Sequence, residues 1–444
     1  MKSLAVIGSQ WGDEGKGKIV DVITRQASWV VRFQGGNNAG HTVVVDGKTI
    51  KLNLLPSGVL REGCRVAVGA GVVLDGMALM REIDSVRASG ISVTPQRLVV
   101  DGRVPLVLPY HREIDRVREE ARGGNKIGTT LRGIGPAYEE RASRVGLRLC
   151  DLRDGEVAQT VLKERLKEVS AYLAGCFGST VSLSLEEHLE EVARLQESVL
   201  PFMGDVSFEI SRAISSGERV VFEGAQGCLL DVAFGTVPFV TSSHTSAGGI
   251  SVGVGVGPRS VDRILGLAKA YTTRVGSGPF PTELLDAQGD ELRQRGAEYG
   301  TVTGRPRRCG WLDIVALRYA IRVSGIDCLA LTKLDVLSGL ETIRIATAYR
   351  TPDGRELEDL PLWDRQSSLW TPVYRELPGW QEDISGVRSF ADLPHQAQQY
   401  VEAVASLAGC PVVLVGVGQS RDATLWVPGT PKEFYEFVGT ESRC

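Results

Sequence analysis

Gly8-Ser9-Gln10-Trp11-Gly12-Asp13-Glu14-Gly15-Lys16-Gly17-Lys18 decides the reading of this chain. An apolar run, Leu4-Ala5-Val6-Ile7, precedes it and Ile19-Val20-Asp21-Val22-Ile23 follows, so the segment predicts the turn from a first strand into a first helix of an α/β unit. Backbone N–H groups at such a helix start, open to close approach because glycine carries no Cβ, favour anions. Gly12, Gly17 and Lys18 fit the phosphate-loop pattern G-x-x-x-x-G-K, but Ile19 stands where a magnesium-binding Ser or Thr belongs. Asp13, a carboxylate inside an anion cradle, could supply the missing metal ligand or act as a base. A turn with a purely structural role is the competing reading.

Short β-branched runs at Trp29-Val30-Val31-Arg32-Phe33, Val66-Ala67-Val68-Gly69, Arg219-Val220-Val221-Phe222-Glu223, Cys328-Leu329-Ala330-Leu331-Thr332 and Pro411-Val412-Val413-Leu414-Val415 alternate with helical patterns. They predict buried, mostly parallel strands, and with them an α/β fold whose central sheet is flanked by helices. The phosphate-type loop after the first strand, with Thr332-Lys333-Leu334-Asp335 at the end of a later one, makes its expected nucleotide site GTPase-like. Between about 105 and 217 the strand signal fades, and Leu185, Leu189, Val192, Leu195 and Val199 recur at helical spacing, which predicts a helical insertion. No Pro/Ser-rich linker divides the chain, so residues 1–444 read as a single large α/β catalytic domain. Gly248 to Pro258, glycine at almost every second position, reads as a mobile loop.

With 43 % hydrophobic residues the chain has ample material for a core. A formal charge of −4 argues against an extended nucleic-acid surface, so basic residues must act locally. The 52 glycines exceed the usual share of about 7 % and predict many close approaches of backbone to ligand. The eight cysteines are scattered without a C-x-x-C, which fits a reducing compartment. No apolar stretch nears the roughly 18 residues needed to span a bilayer, so a cytoplasmic protein without membrane or nucleic-acid partners is expected.

Four further constellations carry chemistry. Gln34-Gly35-Gly36-Asn37-Asn38-Ala39-Gly40-His41-Thr42 follows the second strand and should share the first loop's sheet edge, where His41 is a candidate acid. His111 and His188, in charged amphipathic helices, and His395, opening another, read as solvated. Gly300-Thr301-Val302-Thr303-Gly304-Arg305-Pro306-Arg307-Arg308 sets three arginines in an acidic chain, a clamp for carboxylate or phosphate, or else an exposed charged turn. Leu331-Thr332-Lys333-Leu334-Asp335 ends a strand like the [N/T]-K-x-D box of guanine-nucleotide proteins, in which one carboxylate accepts from both N1–H and the 2-amino group of guanine. Glu223-Gly224-Ala225-Gln226-Gly227 with Val240-Thr241-Ser242-Ser243 suits a small-molecule pocket or, equally, buried hydrogen bonding in a turn.

From Gln10 to Arg421 the chain resembles the adenylosuccinate synthetases, which join IMP and aspartate at the expense of GTP. The resemblance is carried by Gln10 to Lys18, Gly40-His41-Thr42, Gly128-Thr129-Thr130, Arg132-Gly133-Ile134-Gly135-Pro136-Ala137-Tyr138, Thr303-Gly304-Arg305 and Lys333-Leu334-Asp335. It implies that Asp13, His41, Lys16 and Gln226 are catalytic, with Asp13 taking the N1 proton of IMP, His41 assisting GDP departure and Lys16 neutralising the moving phosphoryl. IMP would be held by Asp13, Glu14, Gly15, Lys16, Asn38, Ala39, Gly40, His41, Thr130, Gln226, Thr241 and Arg305, and by Arg144 reaching from the other subunit of a homodimer. L-Aspartate would lie on the loop Thr301, Val302, Thr303, Gly304, Arg305, Pro306 and Arg307. GTP would contact Gly12, Asp13, Glu14, Gly15, Lys16, Gly17, Lys18, Gly40, His41, Thr42, Arg307, Lys333, Leu334, Asp335, Gly416, Val417 and Gly418. One Mg2+ per site would be held by Asp13 and the carbonyl of Gly40.

The chain departs from the family pattern at Asn37, where His is expected, at Thr301-Val302, and at Gly416-Val417-Gly418-Gln419-Ser420-Arg421, where Ser-[Thr/Val]-Gly-Pro-[Asp/Glu]-Arg is usual. A catalytically inactive or regulatory guanine-nucleotide-binding paralogue is the alternative. A GTP-dependent switch would need neither His41 nor the arginine clamp, and a dinucleotide oxidoreductase would need G-x-G-x-x-G after the first strand.

Overall fold

The computed structural model describes residues 1–45, 48–300, 304, 306–360 and 369–440, without the side chains of 41–45, 48, 49 and 125. Among these residues the central sheet has ten strands. Their order is Thr424–Trp426, Val412–Gly416, Cys328–Thr332, Arg263–Lys269, Ser3–Gly8, Val220–Glu223, Trp29–Arg32, Arg65–Val68, Leu98–Asp101, Met203–Gly204. All neighbours are parallel except the edge strand Thr424–Trp426.

The Ser3–Gly8 strand lies between Val220–Glu223 and Arg263–Lys269 and is buried throughout. Its side chains alternate: Leu4 and Val6 pack with Ile19, Val20 and Ile23 of the following helix, while Ala5 and Ile7 join the opposite core with Tyr271, Trp311 and Leu317. Burial on both faces is why the sequence shows an unbroken apolar run rather than an alternating one. Parallel strands also bring their following loops to one edge. The segments after Gly8, Arg32, Glu223, Thr332 and Gly416 therefore converge there, as the sequence predicted for the first two.

The insertion contains the helices Pro109–Ala121, Ile134–Ser143, Gly155–Phe177, Leu185–Ser198 and Val206–Ser215. Asp154 and Ser184 cap two of them, accepting from Glu156 and Val157 N–H and from Glu187 N–H. Two of its histidines correct the solvated reading. His111 and His188 are 1 % and 2 % exposed, because each falls on the inward stripe of its helix while the charged neighbours cover the outer one. Leu108 N–H donates to His111 Nδ1, which leaves the ring proton on Nε2, 3.0 Å from Glu140 Oε2.

A second correction concerns the glycine-rich segment. Gly249–Val254 is a helix, not a loop, ended by Gly255 in the left-handed region. Its glycines serve close packing: a Cβ on Gly253 would stand 2.0 Å from Phe33 O, and one on Gly249 2.4 Å from His244 O. The strands Thr342–Arg350 and Thr371–Pro378 form an antiparallel pair outside the central sheet. The seven described cysteines are all free thiols. No described helix is long and apolar enough to cross a membrane.

Candidate active site

The turn after the first strand is built around a buried acid. Glu14 has no exposed surface, and its Oε1 accepts from the backbone N–H of Gln10 at 3.1 Å and of Gly12 at 2.9 Å, while Oε2 pairs with Lys16 Nζ. Its carbonyl accepts from Thr332 Oγ1 at 2.7 Å, tying the turn to the Cys328–Thr332 strand. A Cβ on Gly227 would lie 2.6 Å from Glu14 Oε1, so the neighbouring turn needs glycine to let this acid in. Gly12, Asp13 and Gly15 take φ of 88°, 59° and 80°. Asp is among the few residues that tolerate this region, and the winding turns Asp13 outward, its side chain 37 % exposed, while Glu14 turns in.

Asp13 meets Arg307, whose Nε lies 2.8 Å from Asp13 Oδ2 as an ion pair without the alignment of a hydrogen bond. Arg307 Nη1 donates to Glu298 Oε2 at 2.7 Å, and Arg307 N–H donates to Glu298 O at 2.9 Å. Glu298 Oε1 accepts from Lys269 Nζ at 2.8 Å, Lys333 Nζ at 2.7 Å and Tyr271 Oη at 2.5 Å. Burial works to raise the Glu298 pKa, but Lys269 and Lys333 outweigh it and hold the carboxyl well below the usual range.

An open cleft of about 1220 Å3 runs along this edge. That exceeds the roughly 300–1,000 Å3 of a single-ligand pocket and leaves room for more than one small molecule. Asp13, Lys16, Asn38, Gly40, Thr130, Gln226, Thr241 and Arg307 all line it. Gln226, itself at φ 55°, donates from Nε2 to Asn38 Oδ1 at 3.3 Å, while its buried Oε1 has no hydrogen-bond partner. An orphaned buried amide oxygen costs about 1–3 kcal/mol unless a ligand satisfies it.

Beside Lys18 and Lys333 of the cleft wall, but outside its lining, lie the ends of the strands Cys328–Thr332 and Val412–Gly416. Asp335 Oδ1 is buried without a hydrogen-bond partner. Burial raises the Asp335 pKa, opposed by Lys18 and Lys333. An acceptor left in this state suits a ligand that brings paired N–H donors. Lys18, which the phosphate-loop pattern would aim at phosphate, instead donates to Gly418 O at 2.7 Å and Ala423 O at 2.8 Å, and burial pulls its pKa down to about 8. It fastens the first loop to the Asp335 end.

The family model described as adenylosuccinate synthetase matches residues 5–425. The chain belongs to the adenylosuccinate synthetase family. An adenylosuccinate synthetase of Pelobacter propionicus is 51 % identical over 425 residues, covering 96 % of this chain and 98 % of that one. One from Brevibacillus brevis is 48 % identical over 429 residues, covering 97 % and 99 %. The solved structure of fully ligated adenylosuccinate synthetase from Plasmodium falciparum is similar with a TM-score of 0.90 and 38 % identity, over 96 % of this chain and all of that one.

Arg144 ends the Ile134–Ser143 helix in the left-handed region, at φ 66° and exposed, and is not among the residues lining this chain's own cleft. Thr301, Val302, Thr303 and Arg305 lie outside the described residues, as do the side chains of His41 and Thr42, whose backbone opens the strand His41–Val45. The base of the Thr301 to Arg307 loop is pinned by a bridge from Tyr299 to Pro306. Of the departures, Asn37 is buried away from the cleft lining, its Nδ2 donating to Asp75 Oδ2 at 2.8 Å. Val417 is buried, with its N–H on Ala423 O.

Sequence reasoning missed Lys269, Tyr271 and Glu298. Lys269 offered a signal: a lysine set between the apolar run Ile264-Leu265-Gly266-Leu267-Ala268 and Ala270-Tyr271 must find an acid if that run is a buried strand.

Proposed function

We propose that this chain ligates IMP and L-aspartate to adenylosuccinate, with GTP as co-substrate and GDP and phosphate as the other products. One observation carries the reading: a carboxylate inside the phosphate-binding turn, Asp13, stands 2.8 Å from Arg307 of the anion-clamping loop on the wall of a cleft large enough for several ligands.

Asp13 takes the N1 proton of IMP, so that O6 becomes nucleophilic and attacks the γ-phosphoryl of GTP. His41 assists the departing GDP, and Lys16, released from Glu14, offsets charge on the transferring group. The amino group of aspartate then attacks C6 of 6-phosphoryl-IMP, and phosphate leaves carrying the former O6. Gln226, with an amide oxygen awaiting a donor, orients IMP beside Asn38, Thr130 and Thr241. Arg305 holds the carboxylates of aspartate, and Arg307 on the same loop lies near GTP. Asp335 accepts from N1–H and the 2-amino group of guanine.

The donors fit magnesium. Asp13 presents a partly exposed carboxylate to the cleft and Gly40 lines it, a hard-oxygen pair that substrate phosphates would complete. Among the described residues no group of three or more His, Cys, Asp or Glu could hold a metal alone. When bound, the ion neutralises charge on the phosphates. Arg144 is assigned to the IMP site of a second subunit in a homodimer, consistent with its exposure at a helix end outside its own chain's cleft. The setting is cytoplasmic.

The purified protein with IMP, aspartate, GTP and magnesium should form adenylosuccinate, and omission of any one should abolish it. No product from the complete mixture would leave the inactive, nucleotide-binding paralogue as the reading.

A further inference from the structure

One buried carboxylate spans two recognition elements that the reaction treats separately. Glu298 has no exposed surface, and its two oxygens are divided. Oε1 holds Lys333 of the guanine box, together with Lys269 and Tyr271; Oε2 holds Arg307, which stands on Asp13. Lys333 Nζ also donates to Gly296 O at 2.6 Å, and Arg307 N–H to Glu298 O at 2.9 Å. The backbone from Gly296 to Arg307 is thus fastened at one end by the guanine-box lysine and at the other by the main-chain carbonyl of Glu298, whose carboxylate also holds the Arg307 side chain.

We propose that Glu298 is a positioning residue that couples occupation of the guanine site to the placement of Arg307 over Asp13. This rests on the reading above, in which Lys333 belongs to the guanine box and Arg307 to the aspartate loop, where it also lies near GTP. The physical basis is local. Lys269 has no exposed surface either, so the carboxylate is anchored from the strand side and does not follow Lys333 freely. A change at Lys333 Nζ alters the charge sharing Oε1, and with it how strongly Oε2 holds Arg307. Both ends then feel the same acid, and the coupling must be reciprocal in binding.

The decisive variant is Lys333→Met, which removes one donor from Oε1 and makes no direct change at Arg307. Coupling predicts that KM for aspartate rises along with KM for GTP, by roughly tenfold, the range of ordinary coupling between sites. Asp335→Asn, on the same box without a hydrogen bond to Glu298, should move the nucleotide parameters and, with GTP held saturating, leave KM for aspartate unchanged. Glu298→Gln should raise both KM values, since an amide cannot accept from the donors on both sides, and adding Lys333→Met to it should raise KM for aspartate no further.

An aspartate KM that does not respond to Lys333→Met overturns the proposal, and so do additive effects in the double variant; Glu298 is then a buried partner for Lys269 with no role between the sites. Should Glu298→Gln fail to fold, the Lys333→Met measurement still decides. Product formation by the unsubstituted protein in the same assay separates this outcome from a failure of the functional reading.

Discussion

Arg307 stands over Asp13, its Nε 2.8 Å from Oδ2. The base of the proposed first step and the clamp of the second substrate are therefore in contact before any ligand arrives. Lys16 is likewise held by Glu14. In the proposed reaction these internal ion pairs are exchanged for pairs with substrate, so that the charged groups are oriented before chemistry.

Asp13→Asn should lose turnover by more than the roughly 10²–10⁴ of one general base, because the amide can neither take the N1 proton nor neutralise a bound cation. Thermal unfolding should stay near that of the unsubstituted protein, since Asp13 is a partly exposed side chain at the cleft wall. Steady-state kcat beside a melting curve checks both parts; near-normal turnover would remove Asp13 from its role.

Asp335→Asn should weaken GTP and gain xanthosine triphosphate, whose 2-oxo group accepts where guanine donates. The buried, unpartnered Oδ1 motivates this. Comparing kcat/KM for GTP, xanthosine triphosphate and ATP in both proteins decides it. Loss of GTP with no gain elsewhere would make Asp335 a structural acid.

Glu140 gives a pH-dependent prediction away from the cleft. Burial works to raise its pKa, but hydrogen bonds from His111 Nε2 and from Arg165 outweigh it and bring the pKa from 4.5 down to about 2. A folded-state pKa below the unfolded value adds stability that is present above about pH 4.5 and is lost as pH falls through about 2, here about 3 kcal/mol at neutral pH. Glu140→Gln should therefore be less stable than the unsubstituted protein at pH 7, and the gap should close between those two values. Denaturant titrations across that range test it, and a constant gap would mean that packing, not ionisation, carries the effect.

The strands that form the centre of the fold were legible because burial on both faces leaves unbroken runs such as Leu4 to Ile7 and Val412 to Val415. The loops that follow them carried their chemistry in glycine, lysine and carboxylate spacing. Other parts were not legible from local pattern. Gly249 to Val254 looked unstructured because glycine alternation removes side chains, whereas what it permits is contact with the backbone of Phe33, far along the chain, and of His244 in the preceding turn. His111 and His188 looked solvated because their neighbours are charged, and only the helix partners show which stripe turns inward. Glu298 escaped because its four partners, Lys269, Tyr271, Arg307 and Lys333, come from separate segments that meet only in the folded sheet edge. The Arg263–Lys269 strand was passed over because Gly266 interrupts its apolar run and Lys269 ends it.

Mixing Arg144→Leu with Asp13→Asn, each inactive alone, should restore part of the activity if Arg144 serves the neighbouring subunit, because a hybrid dimer then holds one intact site. Activity measured against mixing ratio, with subunit exchange followed separately, checks it. No recovery despite exchange would place each site within one chain.

The central claim, that O6 of IMP is phosphorylated before aspartate attacks, is tested most directly by following that oxygen. IMP carrying heavy oxygen at C6 should deliver the label to inorganic phosphate in step with adenylosuccinate formation, because the leaving group is the phosphorylated O6 itself. Unlabelled phosphate, with the heavy oxygen released to water, would contradict the account.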